Sequence, residues 1–148
     1  MKRLLANKVN YLWLVGQINV VLWLFLQKQS VNMYQVYGIP NCDTVKKALT
    51  WLKDHEIAYE FNDYKKKGIT PQKLKAWSKQ LGWEALLNKK GTTWKNLDAA
   101  TQAKITNEKA AIALLVDHTS MIKRPLIEKG EKVVALGFDA EVYEEVFG

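Results

Sequence analysis

At 148 residues, 48% hydrophobic and 25% charged, the chain has the length and composition of one compact globular domain able to close an apolar core. A single cysteine cannot form an intramolecular disulfide, which excludes a stapled secreted scaffold and leads to the expectation of a reducing compartment, the cytoplasm. The formal net charge of +7 is unevenly spread: Lys2, Arg3, Lys8 and Lys28 stand among residues 1–32 without an acid, leaving 18 basic against 15 acidic residues beyond them. That mild balance does not argue for a nucleic-acid surface, and no nucleic-acid partner is expected.

Residues 11–26 read YLWLVGQINVVLWLFL, an apolar run broken by Gln17 and Asn19. It is short for a transmembrane helix, which wants about 20 apolar residues. It has the basic start of a signal peptide, but no A-x-A-like cleavage site follows. The favoured expectation is that translation begins at Met33 and that residues 1–32 are an extension from a mis-called start. A weak membrane-associated segment is the second reading and a signal peptide the third. The domain expected to fold is 33–148.

Within it, Tyr34 to Ile39 is a short β-type run halted by Pro40. Val45, Ala48, Leu49 and Leu52 then fall on one helical face, with Lys46, Lys47 and Lys53 on the wet side. Ile57 to Asn62 is a second strand candidate, followed by a polar turn over Lys65-Lys66-Lys67-Gly68. Thr70-Pro71 is an N-cap and first-turn proline pair, and Leu74, Trp77 and Leu81 carry that helix to a stop at Gly82. A short helical piece, Trp83 to Leu87, leads into the polar stretch Asn88 to Thr93. A helix over Ala99 to Ile105 is predicted, then one capped by Thr106 and running to about Val116. Leu126-Ile127 and Val133 to Leu136 read as two strands around a turn at Gly130. Asp139 caps a last helix with Val142 and Val146 on one face. The order βαβ, helical insert, ββα predicts an α/β fold with a central mixed sheet flanked by helices.

The chemistry is carried by Gly38-Ile-Pro-Asn-Cys-Asp-Thr-Val-Lys-Lys47. A strand, a tight loop and a helix start place Cys42 where backbone N–H groups lack intrahelical partners. Those groups and the helix dipole favour negative charge, so a depressed thiol pKa is expected there. The same N–H groups suit an oxyanion held beside the sulfur, and the Thr44 hydroxyl is within reach of it. Most free cysteines are small buried hydrophobes; Pro40, Asn41 and Asp43 around this one count against that role.

The stretches IPNCDTVKKA, LGWEALLNKKGTTWKNL (81–97) and IKRPLI (122–127) together resemble the ArsC/Spx family, most closely its YffB-type ArsC-like reductases. The resemblance spans essentially all of residues 33–148 and implies a thioredoxin-like fold with a helical insertion. It implies that Cys42 is the catalytic cysteine, that Arg124 binds an oxyanion beside it, and that Pro125 is the cis-proline of the fold. Arginine's fork of donors suits that task. Asn41, Asp43, Thr44, Asn88 and Lys90 complete the expected substrate- or oxyanion-binding set. In two places the chain departs from arsenate reductases of this type: Asn88 stands where they use an arginine, and Leu136-Gly137-Phe138 near the chain end offers no second one. A lysine at 89 or 90 does not reproduce a bidentate clamp.

The implied activity is that of a thiol reductase acting on a small-molecule disulfide or an arsenate-like oxyanion. No bound cofactor is expected. With no second cysteine, resolution falls to an external thiol: glutathione as reductant or substrate, with a glutaredoxin as the accompanying partner. A monomer is expected. The alternatives are an Spx-like regulator binding RNA polymerase, against which the missing second cysteine of C-x-x-C counts, and a non-catalytic thiol sensor. His55 and His118 lack metal-ligand spacing with Cys42 and read as surface or helix-end residues, so no metal site is expected. Trp51, Trp77, Trp83 and Trp94 read as packing residues.

Overall fold

The computed structural model describes residues 33–148 together with Val20 and Leu22. Apart from those two positions, the expectations for residues 1–32 lie outside the described residues. Among the described residues no helix is long and apolar enough to cross a membrane. Residues 34–148 form a compact unit.

Strand β1 (Tyr34–Gly38) leads through a four-residue loop into α1 (Asp43–Asp54), which returns the chain to β2 (Tyr59–Asp63). The insert follows: α2 (Tyr64–Lys67), α3 (Pro71–Leu81), α4 (Trp83–Leu86), α5 (Thr92–Lys95), α6 (Ala99–Ala103) and α7 (Glu108–Asp117), closed by a 3-10 turn over Thr119–Met121. Strands β3 (Leu126–Lys129) and β4 (Lys132–Leu136) and helix α8 (Ala140–Phe147) complete the domain. The sheet order is β2-β1-β3-β4, with β1 parallel to β2 and antiparallel to β3, and β3 antiparallel to β4. This is the mixed sheet expected from the element order.

Strand alternation divides the core between the two faces. On one, Val36, Ile127 and Ala135 pack with Ala48 and Leu52 of α1 and Tyr143 of α8. On the other, Leu126 packs with Leu74, Trp77, Leu86, Ile112 and Leu115 of the insert. A register shift between Ile127 and Glu128 pairs Ile127 with Ala135 and Glu128 with Val133. The extra residue lets both Val134 and Ala135 reach the α1 face.

Local sequence sets several boundaries. Thr70 accepts a hydrogen bond from the Lys73 N–H (3.2 Å), and the Asp139 carboxylate accepts from Glu141 and Val142 at the start of α8. His55 and His118 are the C-caps of α1 and α7. Other boundaries differ from the sequence reading. Asn107, not Thr106, caps α7, its Oδ1 accepting from the Ala110 N–H at 3.0 Å. The expected turn at 65–68 holds a helical turn, α2, because Asp63 accepts from the Lys65 N–H at 2.8 Å and so caps it. The polar stretch 88–93 likewise runs into α5. The face of α8 that packs carries Tyr143 and Phe147, whose rings join Trp51 and Tyr34, while Val142 and Val146 stay exposed.

The insert is locked to the sheet by a buried polar group. Glu128, 1% exposed in β3, accepts from Trp77 Nε1 and pairs with Lys73 Nζ at 2.7 Å. Burial works against the Lys73 charge, but the Glu128 carboxylate and the Tyr37 hydroxyl hold its pKa above the ordinary lysine value. Removing one member of a buried pair strands the other, so Lys73→Met is expected to cost about 3 kcal/mol in urea unfolding, with Lys73→Met/Glu128→Gln recovering most of it. A single substitution no worse than the double would show that the pair is solvated. Asp139→Ala should cost about 1 kcal/mol by losing the α8 cap, measured the same way.

Candidate functional site

Because β1 and β2 are parallel, with Gly38 opposite Asp63, their carboxyl ends lie side by side. The loop to α1 and the start of α2 therefore rise from one edge of the sheet. Gly38 brings the first turn of α1 close: a Cβ there would lie 3.0 Å from Val45 Cγ2, tighter than an ordinary contact.

Cys42 is the N-cap residue of α1, in extended conformation (φ −141°, ψ 123°), and its carbonyl accepts from the Lys46 N–H at 2.9 Å. No side-chain capping hydrogen bond is made at this helix start. The sulfur is half-buried, and burial pushes the thiol up. Against it stand the Val45 backbone N–H, the Arg124 guanidinium as donor and as charge, and the Thr44 backbone N–H, and the net result lies below the ordinary thiol value. Each opposing group stabilises the anion, so the thiolate completes the cap that the thiol leaves unmade. Thr44 contributes through its backbone rather than through the hydroxyl read from the sequence.

Arg124 reaches this position from the segment between the insert and β3. Its peptide bond to Pro125 is cis. Its Nη1 donates to the carbonyls of Ser120 (2.6 Å) and Ile122 (3.3 Å), while its Nε is buried without a partner among the described residues. Behind the proline, the Gly137 N–H donates to the Pro125 carbonyl at 2.7 Å, with Gly137 at φ +86°. The stretch Leu136-Gly137-Phe138 thus braces the proline turn and offers no cation to the thiol.

The other sequence-predicted residues are placed less centrally. Asn41, Asp43 and Thr44 are exposed around the helix start, and Asp43 pairs weakly with Lys46 at 3.9 Å. Asn88 donates its backbone N–H to the Met121 carbonyl at 2.8 Å and lays its side chain over Gly91. Lys90 is exposed, and no hydrogen bond or ion pair joins it or Asn88 to Cys42 or Arg124.

Tyr64 was not legible in the sequence. It is buried at the carboxyl end of β2, its hydroxyl without a partner among the described residues. Burial pushes that hydroxyl far up, and the nearby Arg124 charge opposes the shift. The signal that would have found it is the parallel pairing of β1 with β2, which one sequence does not reveal.

Among the described residues, no three of His, Cys, Asp and Glu come together in a group that would ligate a metal. A surface groove of ≈ 690 Å³ along α3 is lined by Lys73, Lys79, Gln80 and Glu128 but not by Cys42 or Arg124. What the Cys42 site offers chemically is a nucleophile activated by helix N–H groups and one guanidinium.

Comparison with known proteins places this arrangement. An uncharacterized protein of Haemophilus influenzae is 41% identical over 115 residues, covering 78% of this chain and 99% of its own. The solved structure of the YFFB protein aligns with a TM-score of 0.73 at 43% identity, over 78% of this chain and all of that one. At 25% identity, the global transcriptional regulator Spx 2 of Bacillus cereus matches over 74% of this chain and 82% of its own. The ArsC family model matches residues 37–146, the span that runs from the end of β1 through Cys42, the helical insert and Arg124 into α8. With the fold, the relatives and the family model in agreement, the chain belongs to the ArsC family.

Proposed function

We propose that the protein is a thiol reductase with one nucleophilic cysteine, and that its resolving thiol is glutathione. The observation that carries this reading is the half-buried Cys42 sulfur at the N-terminus of α1, facing the Val45 and Thr44 N–H groups and the Arg124 guanidinium. The thiolate attacks one sulfur of a small disulfide. A bond forms between Cys42 Sγ and that sulfur, and the other sulfur leaves as a thiolate. A glutathione thiolate then attacks the mixed disulfide, releasing Cys42 as thiolate and the substrate sulfur as a glutathione disulfide. A second glutathione thiolate attacks that mixed disulfide, freeing the remaining substrate thiolate and leaving oxidised glutathione. Two external thiols thus supply both electrons, as they must where the chain has no second cysteine.

Arsenate is the less favoured substrate, because Asn88 and Gly137 put no further guanidinium at the thiol beside Arg124. The similarity to Spx 2 supports a second reading, a regulator that binds RNA polymerase. A pull-down with polymerase separates the two, since a reductase acting alone is not retained.

Incubation with oxidised glutathione, followed by intact-mass spectrometry, should give one glutathione adduct per chain, removed by reduced glutathione and abolished in Cys42→Ser. An unmodified wild-type chain, or a Cys42→Ser variant that keeps reductase turnover, would sink the proposal. The alkylation rate follows the thiolate fraction, which rises with pH and levels off above the thiol pKa. Because the folded pKa is depressed, the wild-type midpoint should lie below that of the unfolded chain. Arg124→Ala should move it upward, slowing alkylation near neutral pH without changing the alkaline plateau. An unmoved midpoint would remove Arg124 from the activation of Cys42.

A further inference from the structure

The stretch Gly91-Thr92-Thr93-Trp94 stands out in the sequence, yet none of its side chains enters the chemistry proposed above. Thr93 lies in α5, and its Oγ1 is 3.0 Å from Ser120 Oγ in the 3-10 turn before Arg124. The Ser120 carbonyl is the shorter of the two acceptors that hold Arg124 Nη1, at 2.6 Å against 3.3 Å for Ile122. The turn is pinned to the insert again further along, by Asn88 N–H to the Met121 carbonyl (2.8 Å) and Lys123 N–H to the Leu86 carbonyl (2.7 Å). Both pins lie on the C-terminal side of Ser120. Among the described residues, the side-chain hydrogen bond that joins Ser120 itself to α5 is the hydroxyl pair.

On the insert side the anchor is firm. The Gln102 side-chain amide donates to the carbonyls of both Trp94 and Leu97 at 3.0 Å, tying α5 to α6. Both hydroxyls are part-buried, where a matched hydrogen bond holds its geometry better than a solvated one.

We propose that Thr93 and Ser120 are positioning residues: their hydroxyl pair fixes the turn whose Ser120 carbonyl aims the Arg124 guanidinium at Cys42. This inference rests on the proposed role of Cys42 and Arg124 and goes beyond it by giving the helical insert a part in the reaction. The insert sets the placement of the Arg124 cation at the thiol. Neither hydroxyl touches substrate.

The test compares the wild-type chain with Thr93→Val, Thr93→Ser, Ser120→Ala and the Thr93→Val/Ser120→Ala double, each checked by circular dichroism for native structure. The readout is the pH profile of Cys42 alkylation by iodoacetamide. Thr93→Val and Ser120→Ala should each shift the midpoint upward and slow alkylation at pH 7 roughly fivefold, the factor expected for one ordinary hydrogen bond. The double should move no further than either single, because one bond is removed in all three. Thr93→Ser, which keeps the hydroxyl, should restore the wild-type midpoint, a rescue that lost packing would not produce. A wild-type midpoint in Thr93→Val or Ser120→Ala, with Arg124→Ala still shifted, would overturn the positioning role alone. An ordinary midpoint in the wild-type chain, unmoved by Arg124→Ala, would overturn the reading of Cys42 and this inference with it.

Discussion

Helix α1 is both the connection between two parallel strands and the electrostatic support of the Cys42 sulfur. Parallel strands need a crossover that covers one face of the sheet, and α1 supplies it by burying Val45, Ala48 and Leu52. Once that stripe is docked, the helix can start only at the carboxyl edge of β1, and Gly38 lets its first turn close on the strand. The unpaired N–H groups of that turn thus arrive at Cys42 as a consequence of packing. Fold stability and thiol activation share one element.

The second charge at the site comes from far along the chain. Between Cys42 and Arg124 lie α1, β2 and the whole insert. Among the described residues the arginine is held by the Ser120 and Ile122 carbonyls, in and just after the 3-10 turn, and not by a carboxylate. Carbonyl acceptors orient the guanidinium without neutralising it, so its charge stays available to the sulfur. A carboxylate partner would have cancelled much of that field. Glu128 is the opposite case: the buried carboxylate that anchors the insert is matched by the Lys73 charge on the α3 side of the sheet.

The helical insert therefore does more than cover an apolar face. It buries Trp77, Leu86, Ile112 and Leu115 against the sheet, and by backbone bonds at Asn88 and Lys123 it grips the segment that ends in Arg124-Pro125. Members of one family can keep this frame and vary what is presented on it. In this chain the frame presents one cysteine and one arginine. That pair is what the proposed reaction calls on, a cysteine to attack a small disulfide and a guanidinium to hold the thiolate.

Much of this is legible in the sequence by itself. The apolar stripe of α1, the Thr70-Pro71 start of α3, the Asp139 cap and the strand runs depend on neighbours within a few residues, and local chemistry decides them. Cys42 was legible for the same reason: a strand, a short loop and a helix start are contiguous, so the thiol and the N–H groups that face it belong to one stretch of chain. Arg124 and Pro125 came from family resemblance and not from local chemistry. The tertiary structure alone decided the rest: the parallel register that buries Tyr64 beside the site, the Asn107 cap chosen over Thr106, the inward turn of Tyr143 and Phe147, the Lys73–Glu128 lock and the Thr93–Ser120 link. Each joins residues distant in sequence or picks between near-equal local choices, and only the packing of the whole chain separates those alternatives in energy.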